Sequence, residues 1–559
     1  MKENLIQDDL KDAQDFTAVE KFSITHDLQQ IPSTQRVYKD LIPKSTPGPG
    51  QQYAFEVNLD QCSGCKACIT ACHNENGLED DETWRSVGLI HGGTSQSSVI
   101  QHITTACHHC LDPACLNGCP VKAYEKDPST GIVRHLEDQC IGCQYCTFTC
   151  AYDVPKYNKK KGIVHKCDMC ISRLNVGEAP ACVRACPGSA IRITLVDVDT
   201  VKRNPNGYVH IPQAPDSHYT LPTTRYIRKQ EFPANMQSAD FYTLQPEHSH
   251  WPLIVMLVLT QLSVGAFGIG IFLEHYLGER LQSIMPYHLL VALGMAVLAL
   301  GSSIFHLGRP LYAFRCVLGL KRSWLSREIL AFTLFAILAT WYALSYWLHS
   351  MSGLRDGIFA GGEFQRNQFI DILSFSTLVV GCVGVFCSAM VYKVTRRPFW
   401  DHAITIVKFF MTTGILGISS VLGTLTIFSL TSKNTALFSV QQQMSSILYL
   451  TLAIMTLIKM LLESGIFLHL SQNELTSLKK TALLMIGPLR AMIIWRFVSS
   501  FLGGIVLSWG FLHLQPQVHA KEMIGISTLI FVFTLVGEFL ERYLFFRAVV
   551  PLQMPEMKS

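Results

Sequence analysis

Sixteen of the nineteen cysteines lie in one stretch of the chain, between Cys62 and Cys186. They form four quartets in chain order. The quartets are Cys62, Cys65, Cys68 and Cys72; Cys107, Cys110, Cys115 and Cys119; Cys140, Cys143, Cys146 and Cys150; and Cys167, Cys170, Cys182 and Cys186. So many thiols in one short stretch must pair with one another or hold metal, which limits the fold more strongly than any other feature.

The spacing of the quartets indicates iron–sulfur clusters. The first and third quartets have the C-x2-C-x2-C-x3-C run of bacterial ferredoxins, in which the fourth cysteine ligates a second cluster. Two residues between cysteines let one loop wrap a corner of a cubane. Proline follows Cys119 and Cys186, as in that motif. Sixteen thiolates, four for each cluster, predict four [4Fe–4S] clusters.

Two other uses of cysteine compete with this interpretation. Zinc is one, because C-x2-C pairs also build zinc sites with four thiolate ligands, but a zinc ribbon uses two pairs and not four-cysteine runs. Crowded quartets in one small domain do not resemble a disulfide framework either. Cys316, Cys382 and Cys387 lie in or beside apolar segments and are interpreted as small buried residues.

The composition of the 559-residue chain changes near residue 250. The chain is polar up to about Phe241, whereas long apolar runs dominate from Trp251. This predicts an α+β ferredoxin-like four-cluster domain followed by an all-α eight-helix transmembrane bundle. The predicted regions are a polar N-terminal extension (1–50), the cluster domain (51–196), a linker or wrap (197–248), for which disorder is the alternative, and the membrane anchor (249–550).

Short features refine this division. Tyr53–Leu59 alternates as a strand does, and GIVRHL, after Cys119, resembles a second short strand. The quartets are expected in loops capped by short helices. The N-terminal segment is acidic and has neither an apolar signal region nor twin arginines, so it is not predicted to be a secretory signal.

Eight apolar runs have about the length needed to cross the hydrocarbon core of a bilayer. Tryptophan and tyrosine mark several of their ends, as in an aromatic belt. The predicted spans are roughly 251–273, 287–307, 329–348, 369–391, 404–430, 447–470, 492–514 and 523–546.

The distribution of lysine and arginine between the spans predicts the orientation. An even number of spans places both termini on one face, and the connections on that face together with the C-terminal end carry fourteen basic residues. The opposite connections carry five. The positive-inside rule then favours a cytoplasmic cluster domain in a bacterial inner membrane, with a periplasmic domain as the alternative.

Ionisable groups near the membrane core are functional candidates because burying them in lipid is costly. His306 closes the second span in FHLGRP, and Glu328 opens the third, just after Ser326, which we expect to be its N-cap. A histidine and a carboxylate together suit the acceptance of two protons from a quinol. Arg309 would hold the quinone oxygen or the charge of Glu328. The alternative is an interfacial histidine and a glutamate favoured by the helix dipole.

Other charges in the membrane part have simpler interpretations. Lys459 with Glu463, and Glu538 with Arg542, are four residues apart and are expected to neutralise each other on one helix face. Arg496, near a span start, is expected to extend to the interface, and Lys408 is expected to do the same.

These motifs resemble a known family. The quartets are similar to the four-cluster iron–sulfur subunit of the dimethyl sulfoxide reductase family of molybdenum enzymes. HLGRP with Glu328 downstream, WRF at Trp495 to Phe497, and GEFLERYLFF near the end resemble that family's eight-helix anchor subunit. The two subunits look fused, with a strong resemblance over roughly 51–195 and a looser one over 249–550.

The resemblance implies how the cysteines share the clusters. It implies a first set that faces the molybdenum subunit and a fourth set that faces the membrane. The first set is Cys62, Cys65, Cys68 and Cys186; the second is Cys72, Cys167, Cys170 and Cys182; the third is Cys107, Cys110, Cys115 and Cys150; the fourth is Cys119, Cys140, Cys143 and Cys146. Some relatives have tryptophan at the position of Cys143 and a three-iron cluster, whereas this chain keeps cysteine. The family's matches to His306 and Glu328 are tied to menaquinol oxidation.

The resemblance and the motifs together predict a membrane-bound electron conduit. We expect quinol, of the menaquinone type by analogy, to be oxidised near His306 and Glu328, with electrons passing through four clusters to a separate molybdopterin-containing catalytic subunit. The chain shows no pterin site of its own. One alternative runs electrons the other way, from a dehydrogenase partner to quinone. Another is a ferredoxin module tethered to a membrane protein without quinol chemistry.

Overall fold

The computed structural model describes residues 39–277, 281, 283–350, 362–431, 435–514 and 520–555. Most of the predicted N-terminal extension therefore lies outside the described residues. Its described end contains one short 3₁₀ turn, Lys39–Leu41, with Leu41 buried against the cluster domain.

The cluster domain is built around β1, which contains the predicted strand Tyr53–Leu59 almost entirely. Tyr53, Phe55 and Val57 alternate along β1 and pack into one hydrophobic core. β1 lies at the centre of a three-stranded sheet, antiparallel to β8 and parallel to β9. These strands are β1 (Gln51–Asn58), β8 (Ile191–Asp197) and β9 (Arg225–Ile227).

A second sheet and two hairpins complete the strands. The second sheet has the order β10-β2-β3, and β5 contains the core of the predicted strand GIVRHL. The elements are β2 (Ser86–Gly93), β3 (Ser98–Thr105) and β10 (Gln237–Ser238), with hairpins β4 (Tyr124–Lys126) to β5 (Val133–His135) and β6 (Lys156–Asn158) to β7 (Ile163–His165).

Short helices accompany the cysteine loops, as predicted. Each is only one to three turns long, because a loop must return the chain to the next cysteine. The helices are α1 (Ala67–Asn76), α2 (Ala114–Gly118), α3 (Tyr145–Thr149), α4 (Ile171–Leu174), α5 (Ala181–Arg184) and α6 (Val198–Arg203).

The segment 197–248 wraps the cluster domain and is not a free linker. Its strand β9 pairs with β1 and its strand β10 pairs with β2. Val209, Ile211 and Met236 are buried in the same core as β1. The cluster domain therefore extends past residue 196, the boundary expected from composition.

Eight helices among the described residues are long and apolar enough to cross a membrane. They confirm the eight predicted spans, with ends within a few residues of the expected ones. Spans 1 to 8 are Trp251–Leu277, Met285–Ile304, Trp324–Leu348, Gln368–Lys393, Ala403–Ser429, Met444–Ser471, Arg490–His513 and Glu522–Arg547. Helix α7 (Ser477–Ile486) lies between spans 6 and 7, and span 7 contains a π-helical turn, Phe501–Leu507.

Span 3 begins before the residue expected to cap it. Its helix starts at Trp324, and the hydroxyl of Ser323 accepts a hydrogen bond of 3.4 Å from the backbone N–H of Ser326. Ser323, not Ser326, therefore caps the helix. The prediction was wrong by one turn, which places Glu328 deeper inside the span.

Candidate functional site: cysteine sets and a membrane cavity

The structure brings cysteines from distant quartets together. Cys62, Cys65 and Cys68 line one small cavity with Cys186, which is separated from them by most of the domain. Cys65 is exposed. This grouping is the first set implied by the resemblance.

The other three sets also assemble from separate quartets. The strongest thiol neighbour of Cys72 is Cys182, followed by Cys170, whereas Cys115 faces Cys150, Cys107 and Cys110. Cys146 faces Cys143, Cys119 and Cys140. Burial raises the pKa of Cys72 to about 12, and Cys182 adds to that shift. Crowded buried thiols of this kind are stable as thiolates only beside a positive metal centre.

The cysteine surroundings fit iron–sulfur clusters. Backbone N–H groups point at the sulfur atoms, from Ala123 to Cys119 at 3.2 Å and from Ala190 to Cys186 at 3.2 Å, as expected for cluster ligands. Within the described ranges, no three His, Cys, Asp or Glu side chains are spaced to hold a single metal ion. Zinc ligands close tightly around one atom, so this spacing favours the larger cluster.

The fourth set lies against the membrane bundle. The backbone N–H of Arg309 donates to the carbonyl of Ile141 at 3.0 Å, and the N–H of Gly319 donates to the carbonyl of Pro120 at 2.8 Å. The hydroxyl of Tyr145 donates to the carbonyl of Val391 at 2.7 Å. Loops of the cluster domain are therefore fixed directly to spans 2, 3 and 4 and their connections.

Glycines make this contact close. Gly142 and Gly162 have φ of +70° and +67°, and both face Gly308 of the HLGRP motif. A Cβ atom on Gly308 would collide with the carbonyl oxygen of Gly162. The backbones meet only because all three positions lack a side chain.

A cavity of ≈ 250 Å³ lies at this contact and reaches into the membrane bundle. Its lining includes His306 and Glu328 on one side and Cys143 of the fourth set on the other. Most of the remaining wall is apolar, from side chains such as Leu300, Phe332, Leu253, Met256, Phe148 and Ile329. An apolar cavity with a few convergent polar groups is the usual form of a small-molecule site.

His306 presents an unsatisfied ring nitrogen in this region. Its Nε2 is buried without a hydrogen-bond partner among the described residues. The ring packs edge-on against His250 with centroids 5.3 Å apart. Burial lowers the pKa of His306 to about 4, against a smaller raising effect of a hydrogen bond to the backbone of Cys143. The imidazole is therefore neutral at neutral pH and able to accept a proton.

Glu328 is held inside span 3 with only 3% of its surface exposed. The hydroxyl of Ser388, on span 4, donates a short hydrogen bond to Glu328 Oε1. This bond fixes the carboxylate at the cavity wall. Ser388, Tyr145 and Tyr392 are parts of this region that no sequence pattern indicated, because each comes from a segment distant in sequence from His306.

Arg309 is not brought to the cavity. Its guanidinium donates to the carbonyl oxygen of Glu137 at 2.8 Å, and Arg315 makes the same kind of contact with Asp138. Arg309 is absent from the cavity lining. The structure gives it a contact with the cluster domain instead of the expected one with Glu328.

The remaining membrane charges form a buried ion network, defined here as Lys459, Glu463, Arg496 and Glu538. Arg496 is 1% exposed and does not extend to the interface as predicted. Its Nη2 lies 2.7 Å from Glu463 and 3.3 Å from Glu538, which is also an ion-pair partner of Lys459. The network joins spans 6, 7 and 8.

Two expected pairings therefore differ from the structure. Arg542 lies 3.4 Å from Glu541 and donates to Gln261, and it does not pair with Glu538. Lys408 does not extend to the interface either, since its Nζ lies 3.2 Å from Glu541. Only Lys459 and Glu463 are close in the expected way, at 3.9 Å.

Comparison with known proteins agrees with this architecture. The DMSO reductase anchor subunit (DmsC) family matches residues 245–547, and a 4Fe-4S dicluster domain matches residues 99–195. The B subunit of anaerobic dimethyl sulfoxide reductase is similar to the N-terminal part. In Haemophilus influenzae it is 36% identical over 156 residues, 26% of this chain and 76% of the relative.

Other relatives are subunits of related complexes. The B subunit from Escherichia coli K12 is 34% identical over 179 residues, 31% of this chain and 86% of the relative. The iron-sulfur subunit of the nitrate-inducible formate dehydrogenase of Escherichia coli K12 is 32% identical over 207 residues, 32% of this chain and 70% of the relative. The protein is a multi-pass membrane member of the DMSO reductase anchor subunit family, fused to an iron–sulfur electron-transfer domain related to the B subunit.

Proposed function

We propose that this chain oxidises a quinol in the membrane cavity and passes its electrons through four [4Fe–4S] clusters to a separate molybdopterin-containing catalytic subunit. One observation carries the proposal: the cavity wall contains both Cys143 of the fourth set and the pair His306 and Glu328. A quinol bound there would lie beside its electron acceptor and its proton acceptors.

The residues around the cavity suit a quinol. Apolar side chains such as Phe332 and Leu300 hold a ring and its lipid tail. The unpartnered Nε2 of His306 accepts a hydrogen bond and then a proton from one hydroxyl. The carboxylate of Glu328, positioned by Ser388, accepts the other. When bound at the fourth set, the cluster supplies a one-electron acceptor.

The partner would dock at the opposite end of the cysteine sets. Cys65 of the first set is exposed, whereas the cysteines of the fourth set are buried or half-buried against the bundle. The relatives named as B subunits of dimethyl sulfoxide reductase support a catalytic partner of the same class. Electrons would leave from the first set.

We place the cluster domain on the cytoplasmic face, following the excess of basic residues there. Protons would then be released on the face where the reductase consumes them. Electron transfer would cross little of the membrane potential, which is worth roughly 2.3 kcal/mol per charge per 100 mV. Turnover in sealed vesicles is expected to move no net charge. A fluorescent C-terminal fusion that matures only in the cytoplasm tests the face, and a dark fusion would contradict it.

The proposal is tested by oxidation of a water-soluble menaquinol analogue by the whole complex. His306→Gln and Glu328→Gln should each lower kcat by about 10²-fold or more, the usual contribution of a positioned proton acceptor. Clusters reduced by dithionite should still be reoxidised by the partner's substrate, which shows that the rest of the route is intact. Rates within about twofold of wild type in both variants would contradict the proposal.

The reverse direction is a second candidate, because a formate dehydrogenase iron-sulfur subunit is among the relatives. In that case the complex would reduce quinone with electrons from its partner. Assaying the whole complex in both directions with the quinol and quinone forms of the same analogue separates the two. A faster quinone reduction would favour the dehydrogenase.

A further inference from the structure

Two basic side chains are buried inside the cluster domain. Arg85 precedes β2 and Lys166 follows β7, and each is 3% exposed. Burying a charge without a partner costs several kcal/mol, so each cation needs a counter-charge.

Arg85 lies between the first and second cysteine sets. Its Nη1 donates to Thr104 Oγ1 at 3.1 Å, and that oxygen is 3.6 Å from the sulfur of Cys68 in the first set. The guanidinium lies 4.7 Å from the centre of the Phe55 ring. Its strongest attractions are to cysteines of both sets: Cys182, Cys68, Cys167 and Cys72.

Lys166 lies between the second and third sets. Its Nζ is 3.7 Å from the sulfur of Cys107 in the third set and 2.8 Å from the carbonyl oxygen of Cys167 in the second. A short hydrogen bond to the carbonyl of Val133 holds the amine in place. The side chain therefore contacts one ligand from each of two neighbouring sets.

The cysteine sets are the main counter-charge of both cations. Among the described residues, neither Arg85 nor Lys166 has a carboxylate within 4.0 Å. Asp168 attracts Lys166, but less strongly than Cys107, Cys115 or Cys167. Burial would lower the pKa of Lys166, and these cysteines reverse that effect and raise it. Nη2 of Arg85 is buried without a hydrogen-bond partner, as expected if its partner is a bound cluster.

The fourth set has a different environment. The sulfur atoms of Cys119 and Cys140 accept hydrogen bonds from the backbone of Ala123 and Gly142, at 3.2 and 3.4 Å. Cys146 faces the phenol of Tyr124, which is neutral. In the part of the chain that the structure describes, no lysine or arginine side chain donates to a sulfur of this set.

We propose that Arg85 and Lys166 raise the reduction potentials of the clusters in the first three sets relative to the fourth, and so draw electrons outward from the membrane. Reduction adds one negative charge to a cluster, and a nearby buried cation stabilises that charge. Transfer of one electron from the fourth set to the third oxidises the donor and reduces the acceptor, with no bond formed and no proton moved.

This inference rests on the proposed function and adds a direction to it. A lower potential at the membrane end favours flow from quinol toward the exposed first set. The same gradient would oppose electrons that enter from a dehydrogenase partner. The two cations thus favour the reductase over its reverse.

The test is a redox titration of the whole complex in membranes, followed by electron paramagnetic resonance. Lys166→Gln should lower two of the four midpoint potentials, and Arg85→Gln should lower two, with one cluster shared between the variants. Lys166→Arg and Arg85→Lys should restore most of each shift. Unchanged potentials in both neutral variants would overturn the inference.

Assembly is read separately from potential. If the neutral variants lose iron but the charge-retaining variants keep it, the positive charge is needed for the clusters and the inference stands. If Lys166→Arg and Arg85→Lys also lose their clusters, the side chains act through shape and the inference fails. Chemical mediators set the potential in this experiment, so a failure of quinol oxidation would leave its result intact, and iron content checks the proposed four clusters by itself.

Discussion

Two groups of polar residues are buried in the same membrane bundle, and they differ in how their hydrogen bonds are satisfied. In the ion network, Arg496 bonds Glu463, Glu538 and Ser500, and Lys459 bonds Glu538 and Thr412. In the cavity, Nε2 of His306 has no partner among the described residues, and the other walls are largely apolar. The comparison teaches that a satisfied buried network holds helices together, whereas an unsatisfied one leaves room for a ligand.

The largest expected effect is on stability, at the ion network. Arg496→Met leaves Glu463 and Glu538 buried without their main partner, which should destabilise the bundle by about 3–5 kcal/mol. Thermal unfolding of the purified complex measures this loss. Quinol oxidation per folded molecule should be retained. A stable variant with lost activity would reverse the roles assigned to the two groups.

A smaller effect is expected where the cluster domain meets the bundle. Gly308→Ala forces a methyl group against the backbone of Gly162 and should cost about 1–3 kcal/mol. Reduction of the clusters by quinol should slow, because the cavity moves away from the fourth set. Gly301→Ala, near the end of span 2 with nothing within 4 Å of the added carbon, is the matched control. Equal behaviour of the two variants would argue against a close contact.

Ser388→Ala tests the positioning of Glu328. It removes the hydroxyl that donates to the carboxylate, so kcat for quinol oxidation should fall about tenfold, or about 1.4 kcal/mol. Ser374→Ala is the control, because that hydroxyl on the same span bonds only the backbone of Asp371. If both variants lose activity equally, the effect belongs to span 4 and not to Glu328.

The smallest effect is expected at Arg309. Its guanidinium contacts the carbonyl of Glu137, so Arg309→Gln should remove about 0.5–1.5 kcal/mol from the domain contact. The KM for the quinol analogue should stay within about twofold of wild type, since no substrate contact is lost. A KM raised about tenfold or more would restore the hypothesis that Arg309 holds the quinone.

Local patterns made much of the architecture predictable. The cysteine loops and their short helices depend on spacing within one quartet, and the spans depend on about 20 consecutive apolar residues. Both signals lie in contiguous sequence. His306 and Glu328 were found for a similar reason, since charge in an apolar segment is conspicuous.

Contacts between distant segments were not predictable from the sequence. Ser388 reaches Glu328 from another span, and Arg496 meets Glu463 and Glu538 from two different helices. Spacing along one helix suggested the pair Glu538 and Arg542, but a nearer partner across the bundle replaced it. Arg309 was misplaced because the sequence does not show that the cluster domain covers the end of span 2.

The central claim is that electrons enter the cysteine sets from a quinol bound in the cavity. It is tested most directly by mixing the oxidised complex with a menaquinol analogue, without the partner's substrate, and freezing samples for electron paramagnetic resonance. The wild type should show reduced clusters, while a His306→Gln/Glu328→Gln double variant should stay oxidised until dithionite is added. Equal reduction of the two proteins by quinol would contradict the account.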